Sequence, residues 1–150
     1  MQIIKGDILK VKYGIVCHQV NCKGKMGAGI ALAIRKKWPV VYKDYIENYR
    51  AGNLILGTVI ISTIIPHELL IANLCGQFNY GRKGIYTNYN AVETCLKHVN
   101  EINTTGLPIY IPHKMGCALA GGNWNIVSDI IEKTIPTAII IKYDKPNSSF

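Results

Sequence analysis

Twice in this chain a short apolar run leads into a cluster of glycines that is followed by a helical pattern. The first run is Ile15-Val16-Cys17-His18, and it continues as Gln19-Val20-Asn21-Cys22-Lys23-Gly24-Lys25-Met26-Gly27-Ala28-Gly29-Ile30-Ala31. The second is Tyr110-Ile111-Pro112, which passes through His113-Lys114-Met115-Gly116-Cys117-Ala118-Leu119-Ala120-Gly121-Gly122-Asn123 to Trp124. Strand, glycine turn and helix in that order point to an α/β fold. Glycine lets the backbone come close to a ligand, and the free amides that open the next helix favour an anion. If both strands share one sheet, the turns at their carboxyl ends face one crevice, the usual ligand position in open α/β sheets. Tight turns and close helix packing also need glycine, so this pattern alone leaves nucleotide binding and purely structural turns both open. Neither turn is one of the two commonest phosphate cradles. Gly-x-Gly-x-x-Gly lacks its third glycine, and Lys25 is followed by Met26 instead of Ser or Thr.

The rest of the chain alternates β-like and helical runs, as an α/β sandwich does. Gln2 to Lys5 and Gly14 to His18 read as strands, the second apolar enough to be buried on both faces. A helix carrying Ile30, Ala33 and Ile34 follows. Pro39 separates it from a second helix with Val40, Val41, Tyr45, Ile46 and Tyr49, which Gly52 ends. Thr58 to Ile61 and Leu69 to Leu74 look like neighbouring strands around a turn at Pro66-His67-Glu68. A loop runs from Gly76 to Tyr86, and a helix capped by Thr87 or Asn88 presents Val92, Cys95, Leu96, Val99 and Ile102. Pro108 to Ile111 is the next strand, Trp124 to Ile135 the last helix, and Ala138 to Ile141 the closing strand, with a short polar tail over 145–150.

Composition narrows the classes of function. At 150 residues and 49% hydrophobic content the chain is expected to form one domain over residues 1–150. The longest apolar stretch, Gly57 to Cys75, is broken at Pro66, His67 and Glu68, short of the ~20 residues that span a bilayer. The N-terminus has charges too early for a signal peptide, so a cytoplasmic location and no membrane partner are expected. Five cysteines, an odd number without a Cys-x-x-Cys pair, fit a reduced compartment. Cys17, Cys22, His18 and His113 lack metal-ligand spacing, and neither a metal nor a cofactor is expected. Cys17, Cys75 and Cys95 sit in apolar contexts that suit buried thiols. A net charge of +8, from 17 basic and 9 acidic residues, suits a nucleotide or other anionic partner. The basic residues are scattered in small groups, which fits solvated faces equally well and does not make the continuous stripe of a nucleic-acid binder.

Taken in order along almost the whole chain, these segments resemble the macrodomain family, in the branch holding ADP-ribose-1''-phosphate phosphatases and terminal ADP-ribose glycohydrolases. The matching pieces are Lys5-Gly6-Asp7-Ile8, His18-Gln19-Val20-Asn21-Cys22, Gly27-Ala28-Gly29-Ile30-Ala31, Ala72-Asn73-Leu74-Cys75-Gly76-Gln77, Tyr89-Asn90-Ala91 and Pro112 to Trp124. The resemblance implies a three-layer α/β/α architecture with a central mixed β-sheet, and ADP-ribose or ADP-ribose 1''-phosphate as ligand. It implies that Asp7 accepts from the adenine amino group beside the amide of Ile8, where a turn role is the alternative. Asn21 would contact the distal ribose or stabilise its own turn. Gly27, Ala28, Gly29 and Ile30 would cradle one side of the diphosphate. Met115, Gly116, Cys117, Ala118, Leu119, Ala120 and Gly121 would form the opposing loop, with Trp124 packed beneath it.

Glycohydrolases of this branch use an aspartate in the second glycine loop, where this chain has Ala120, and a lysine from the middle loop, where Lys83 reads better as a solvated charge. The four aspartates, Asp7, Asp44, Asp129 and Asp144, lie outside both glycine loops. His18 resembles a histidine of the phosphatase branch. With an ordinary pKa near ~6.5 it could serve as the acid/base, or be a hydrogen-bonded histidine at a strand end. Gln77 and Asn79 could orient a water but cannot act as strong bases, and Cys117 lacks a matching base. The expected activity is hydrolysis of the terminal phosphate of ADP-ribose 1''-phosphate. The alternatives are a non-catalytic binder of ADP-ribose derivatives and an ADP-ribosyl or O-acetyl-ADP-ribose hydrolase.

Overall fold

The computed structural model describes residues 1–144; the polar tail over 145–150 lies outside the described residues. Six strands form one mixed sheet: β1 (Gln2–Gly6), β2 (Gly14–Asn21), β3 (Val59–Ile65), β4 (Leu69–Gln77), β5 (Ile109–Pro112) and β6 (Ile139–Tyr143). Their order across the sheet is β1-β6-β5-β2-β4-β3, and every pairing is parallel except that of β3 with β4. That one antiparallel pair follows from the tight turn between them, where His67 takes a φ of 64°. The helices are α1 (Gly29–Lys37), α2 (Pro39–Arg50), α3 (Tyr89–Ile102) and α4 (Trp124–Thr134).

Alternation along the strands divides the core into two layers. Ile15 and Cys17 of β2 pack with Leu96, Val99, Val127 and Ile131 from α3 and α4, whereas Val16 and Val20 pack with Ile34, Val41 and Tyr45 from α1 and α2. All eight residues of β2 are buried, among them the Gly14 to His18 run whose apolar composition predicted it. This is the three-layer arrangement the resemblance implied. It also sends the chain leaving β2 to one face of the sheet and the chain leaving β5 to the other. The carboxyl ends of these adjacent strands therefore flank an open crevice.

Element edges moved where neighbours supplied pairing that composition does not show. β2 continues through Gln19 and Asn21, because β4 pairs with it as far as Asn21↔Gln77 across a bulge after Val20. Asn88, not Thr87, caps α3 by accepting from the Ala91 amide, and Thr87 turns inward. Ile102, at the last turn of that helix, is exposed instead of joining its apolar face. All five cysteines are free, with Cys17, Cys75 and Cys95 buried as their contexts predicted. No helix among the described residues is long and apolar enough to cross a membrane.

Candidate functional site

A cleft of about 570 Å³ opens over the carboxyl ends of β2 and β5. One wall is the first glycine loop. Its course is set by Asn21, whose Oδ1 accepts from the amides of Lys23 and Lys25 and whose Nδ2 donates to the Lys25 carbonyl. The Tyr45 hydroxyl, rising from α2, donates to the Asn21 carbonyl at 2.6 Å and lies 2.9 Å from the same Oδ1. The loop thus enters α1 with Gly27, Ala28 and Gly29 exposed toward the cleft. α3 and α4 are each capped by an asparagine side chain, but Ala28 gives α1 no such cap. The first amides of α1 are left with their partial positive charge facing the cleft.

The glycines of this wall are not explained by packing. A Cβ built on Gly27 or Gly29 meets nothing within 4 Å. Gly29 has a φ of +58°, so its backbone favours glycine in any case, but Gly27 has no positive φ. The open space above Gly27 is therefore room for a ligand against the backbone.

The opposite wall is the second loop, whose turns close through Met115 N to Pro112 O, Cys117 N to Lys114 O and Gly122 N to Gly116 O. Ala118, Leu119 and Ala120 line the cleft between these closures. Beneath the floor lies Gln19, whose Nε2 donates to Gln77 Oε1 at 2.9 Å and to Thr87 Oγ1 at 3.0 Å. Thr87 in turn donates to the Gly116 carbonyl at 2.6 Å. One buried amide so ties β2, β4, the segment that leads into α3 and the second loop together, and its Oε1 packs where a side chain at Gly76 or Gly116 would have to sit.

Charge in the cleft has one sign. Lys25, Arg82 and Lys114 line it, and no aspartate or glutamate does among the described residues. A second cavity of about 410 Å³ adjoins it, sharing Gly29, Ile30, Pro112 and His113 and adding Asp7, Ile8 and Tyr143. Two connected compartments, a cationic one between free amides and one with a carboxylate, suit a ligand with an anionic centre and an amine-bearing end.

No family model matches the chain. Over 94 residues it is 34% identical to the ADP-ribose 1''-phosphate phosphatase of Saccharomyces cerevisiae, a match covering 57% of this chain and 53% of that relative. The matched region spans about half the length of that relative. The structure of a macrodomain protein from Streptomyces coelicolor is similar at a TM-score of 0.76 and 25% identity, over 96% of this chain and 98% of that one. The chain has the macrodomain fold. The same fold appears in Thermosipho africanus DarTG in complex with ADP-ribose, at a TM-score of 0.76 and 18% identity, over 99% of this chain and 43% of that one.

In this fold the residues expected at the site divide into three groups. Asn21, Gly27, Ala28, Gly29, Ile30, Gln77, Met115, Gly116, Ala118, Leu119 and Ala120 line the main cleft together. Asp7 and Ile8 line the adjoining cavity. There Asp7 Oδ1 accepts from the Leu9 amide and so also serves the turn. The remainder lie elsewhere. Asn79 is turned to its neighbour, its Oδ1 accepting from the Tyr80 amide. Cys117 points its thiol at the Met115 carbonyl, 3.3 Å away, and burial raises that thiol's pKa against the pull of Lys114. It is neither a cleft residue nor a ready nucleophile. Gly121 packs against the Gly84 backbone with a φ of +70°, which accounts for it as a turn residue.

His18 is the main correction. It lies inside β2, is wholly buried, and lines neither cavity. Asn73 donates from Nδ2 to the Ile60 carbonyl, which leaves its Oδ1 to accept from His18 Nε2 at 2.5 Å. His18 Nδ1 has no partner among the described residues. Burial pulls the ring's pKa down to about 4, outweighing the Asn73 bond. A ring sealed in the sheet and neutral at pH 7 is poorly placed to exchange protons with a ligand in the cleft, and its surroundings are those of the hydrogen-bonded histidine.

Lys25, Tyr80, Gly81, Arg82, His113, Lys114 and Gln19 line the cleft without having been singled out as ligand contacts. The small basic groups at Lys23 and Lys25 and at Arg82 and Lys83 were a signal for Lys25 and Arg82. Gln19 carried none, since a polar residue at a strand end looks like the start of a loop. Trp124 packs under the second loop as expected, and its ring meets that of His113 edge to face at 5.1 Å.

Proposed function

We propose that this macrodomain binds ADP-ribose derivatives across the two cavities and hydrolyses the terminal phosphate of ADP-ribose 1''-phosphate. The observation that carries the binding reading is the unobstructed face of Gly27 to Gly29 against the uncapped start of α1. In this pose the diphosphate lies between that face and Ala118 to Ala120. The adenine end lies in the Asp7 cavity and the distal ribose deeper in the main cleft. Lys25, Arg82 and Lys114 supply charge for the diphosphate and terminal phosphate. Hydrolysis requires water to attack phosphorus while the bond from phosphorus to the sugar oxygen breaks, giving ADP-ribose and inorganic phosphate. The resemblance to a relative named as an ADP-ribose 1''-phosphate phosphatase supports this choice of bond. Among the described residues no carboxylate lines the cleft, which disfavours chemistry that depends on one.

A non-catalytic binding module is the competing reading, favoured by the removal of His18 from the site. Turnover decides between them. Purified protein is expected to release phosphate from ADP-ribose 1''-phosphate, with chromatography showing ADP-ribose as the other product. ADP-ribosylated protein and O-acetyl-ADP-ribose assayed alongside are expected to remain intact. Micromolar binding of ADP-ribose with no product from any of the three would leave the binding module.

Asp7 tests the orientation of the ligand. Asp7→Ala is expected to weaken ADP-ribose by about 1.5–3 kcal/mol through loss of a charged acceptor, read by calorimetry. Because Asp7 also caps the turn at Leu9, Asp7→Asn is the companion variant: it keeps a capping oxygen and removes only the charge. Unchanged affinity in both variants would put the adenine elsewhere.

A further inference from the structure

His113 stands where the two cavities meet, with Gly29, Ile30 and Pro112 as the other residues common to both. Its backbone is anchored, the amide donating to the Ile141 carbonyl at 2.9 Å, and its ring is braced edge-on against Trp124. A ligand that fills both compartments has to pass this ring, and in the ADP-ribose pose the part that passes is the diphosphate. The terminal phosphate lies further along the main cleft, so His113 neighbours the bridge and not the scissile bond.

The charges around the ring decide what it does there. Lys114 comes from the same loop and Lys142 from β6. Asp7 and Tyr143 share the smaller cavity, and Lys25 and Arg82 the larger. Burial first, then Lys142 and Lys114, holds the ring's basicity below the ordinary histidine value, which disfavours the imidazolium in the free protein. We propose that His113 takes up a proton when a diphosphate bridge spans the two cavities, making it the residue that favours a diphosphate-linked dinucleotide-like ligand over adenosine. This inference rests on the ADP-ribose reading above.

The direction follows from linkage. Two negative charges on the diphosphate offset the two lysines and stabilise the imidazolium, which moves a proton from buffer to a ring nitrogen and changes no covalent bond. The protonated protein therefore binds more tightly. Affinity rises as pH falls through the bound-state value and levels off below the free-state value. A rise of one unit in the His113 pKa on binding corresponds to about a tenfold gain in affinity. The diphosphate of ADP-ribose carries no group that titrates near neutral pH, so the proton is taken up by the protein.

The test is calorimetry of ADP-ribose binding in two buffers of different ionisation enthalpy, repeated across the range from acid to neutral pH. Wild-type protein is expected to take up a fraction of a proton per ligand and to bind about tenfold more tightly at the acid end. Adenosine is expected to show no uptake. His113→Gln, which keeps a polar side chain of similar reach at a partly exposed position, is expected to bind ADP-ribose more weakly at the acid end, with a flat pH profile and no uptake. Binding without proton uptake, or uptake undiminished in His113→Gln, would overturn the role of His113 while leaving the ADP-ribose reading in place. No binding of ADP-ribose at any pH would overturn both.

Discussion

Gly27→Val is expected to weaken ADP-ribose binding by at least about a hundredfold, roughly 2.7 kcal/mol, while the protein stays folded. Gly27 sits on the exposed face of the first loop, without a positive φ and with nothing within 4 Å of an added Cβ. An added Cβ there meets no protein atom within 4 Å and the backbone has no positive φ, so the cost to stability should stay within about 0.5 kcal/mol, as for ordinary surface changes. The same side chain would fill the space through which the diphosphate reaches the amides opening α1. Each charge-assisted bond lost there is worth about 1.5–3 kcal/mol, and losing two suffices for the expected effect. Gly29→Val is a poorer probe because Gly29 has a φ of +58°, where a branched side chain strains the loop whatever the ligand does. Calorimetry gives the affinity and thermal unfolding the control. If the folded Gly27 variant still binds ADP-ribose at wild-type affinity, the glycine wall is not the diphosphate cradle.

Acid is expected to remove about 3 kcal/mol of stability between pH 6.5 and 4 through His18 alone, because burial holds the folded ring's pKa at about 4. The ring is neutral in the fold, with a pKa of about 4, and takes its proton near the ordinary 6.5 once the chain unfolds. The unfolded state therefore binds more protons in this window. The contribution is complete above pH 6.5, falls as pH drops toward 4, and changes no further below that. Denaturant unfolding at several pH values measures it, and His18→Gln should flatten most of the decline. His18→Ala removes a buried ring and leaves the Asn73 Oδ1 without its donor, and should cost about 2–4 kcal/mol at pH 7. Because His18 lines neither cavity, phosphate release by folded His18→Gln should remain within about threefold of wild type. A fall of 10²-fold or more, the size expected for loss of a proton-transfer group, would return His18 to the chemistry.

The contrast between Gly27 and His18 marks the boundary between local and tertiary information. The glycine turns, the strands that feed them and the helices that follow could be read from the chain because each depends on residues close in sequence. Apolar alternation sets the face of a strand, a β-branched run favours extension, and glycine clusters mark close turns. The meeting of the two glycine loops followed from the rule that ligands sit at the carboxyl ends of adjacent strands, and eleven of the expected residues line that cleft.

The depth of a polar side chain had no such local signature. His18, Gln19 and Asn21 lie within four positions of one another, and all three sit in β2 because β4 pairs alongside them as far as Asn21↔Gln77. Asn73 and Ile60, more than forty positions away, bury His18 and keep it neutral, while Thr87 and Gln77 turn Gln19 into a brace beneath the floor. His113 looked unremarkable beside Lys114 until β6 brought Lys142 to it and two cavities met at its ring. The sequence by itself determined the α/β order, the sign of the charge and the two backbone cradles, because those depend on residue type and near neighbours. Only the tertiary structure decided which histidine faces the ligand and which is sealed, because burial and protonation are set by partners that the fold brings together from distant parts of the chain.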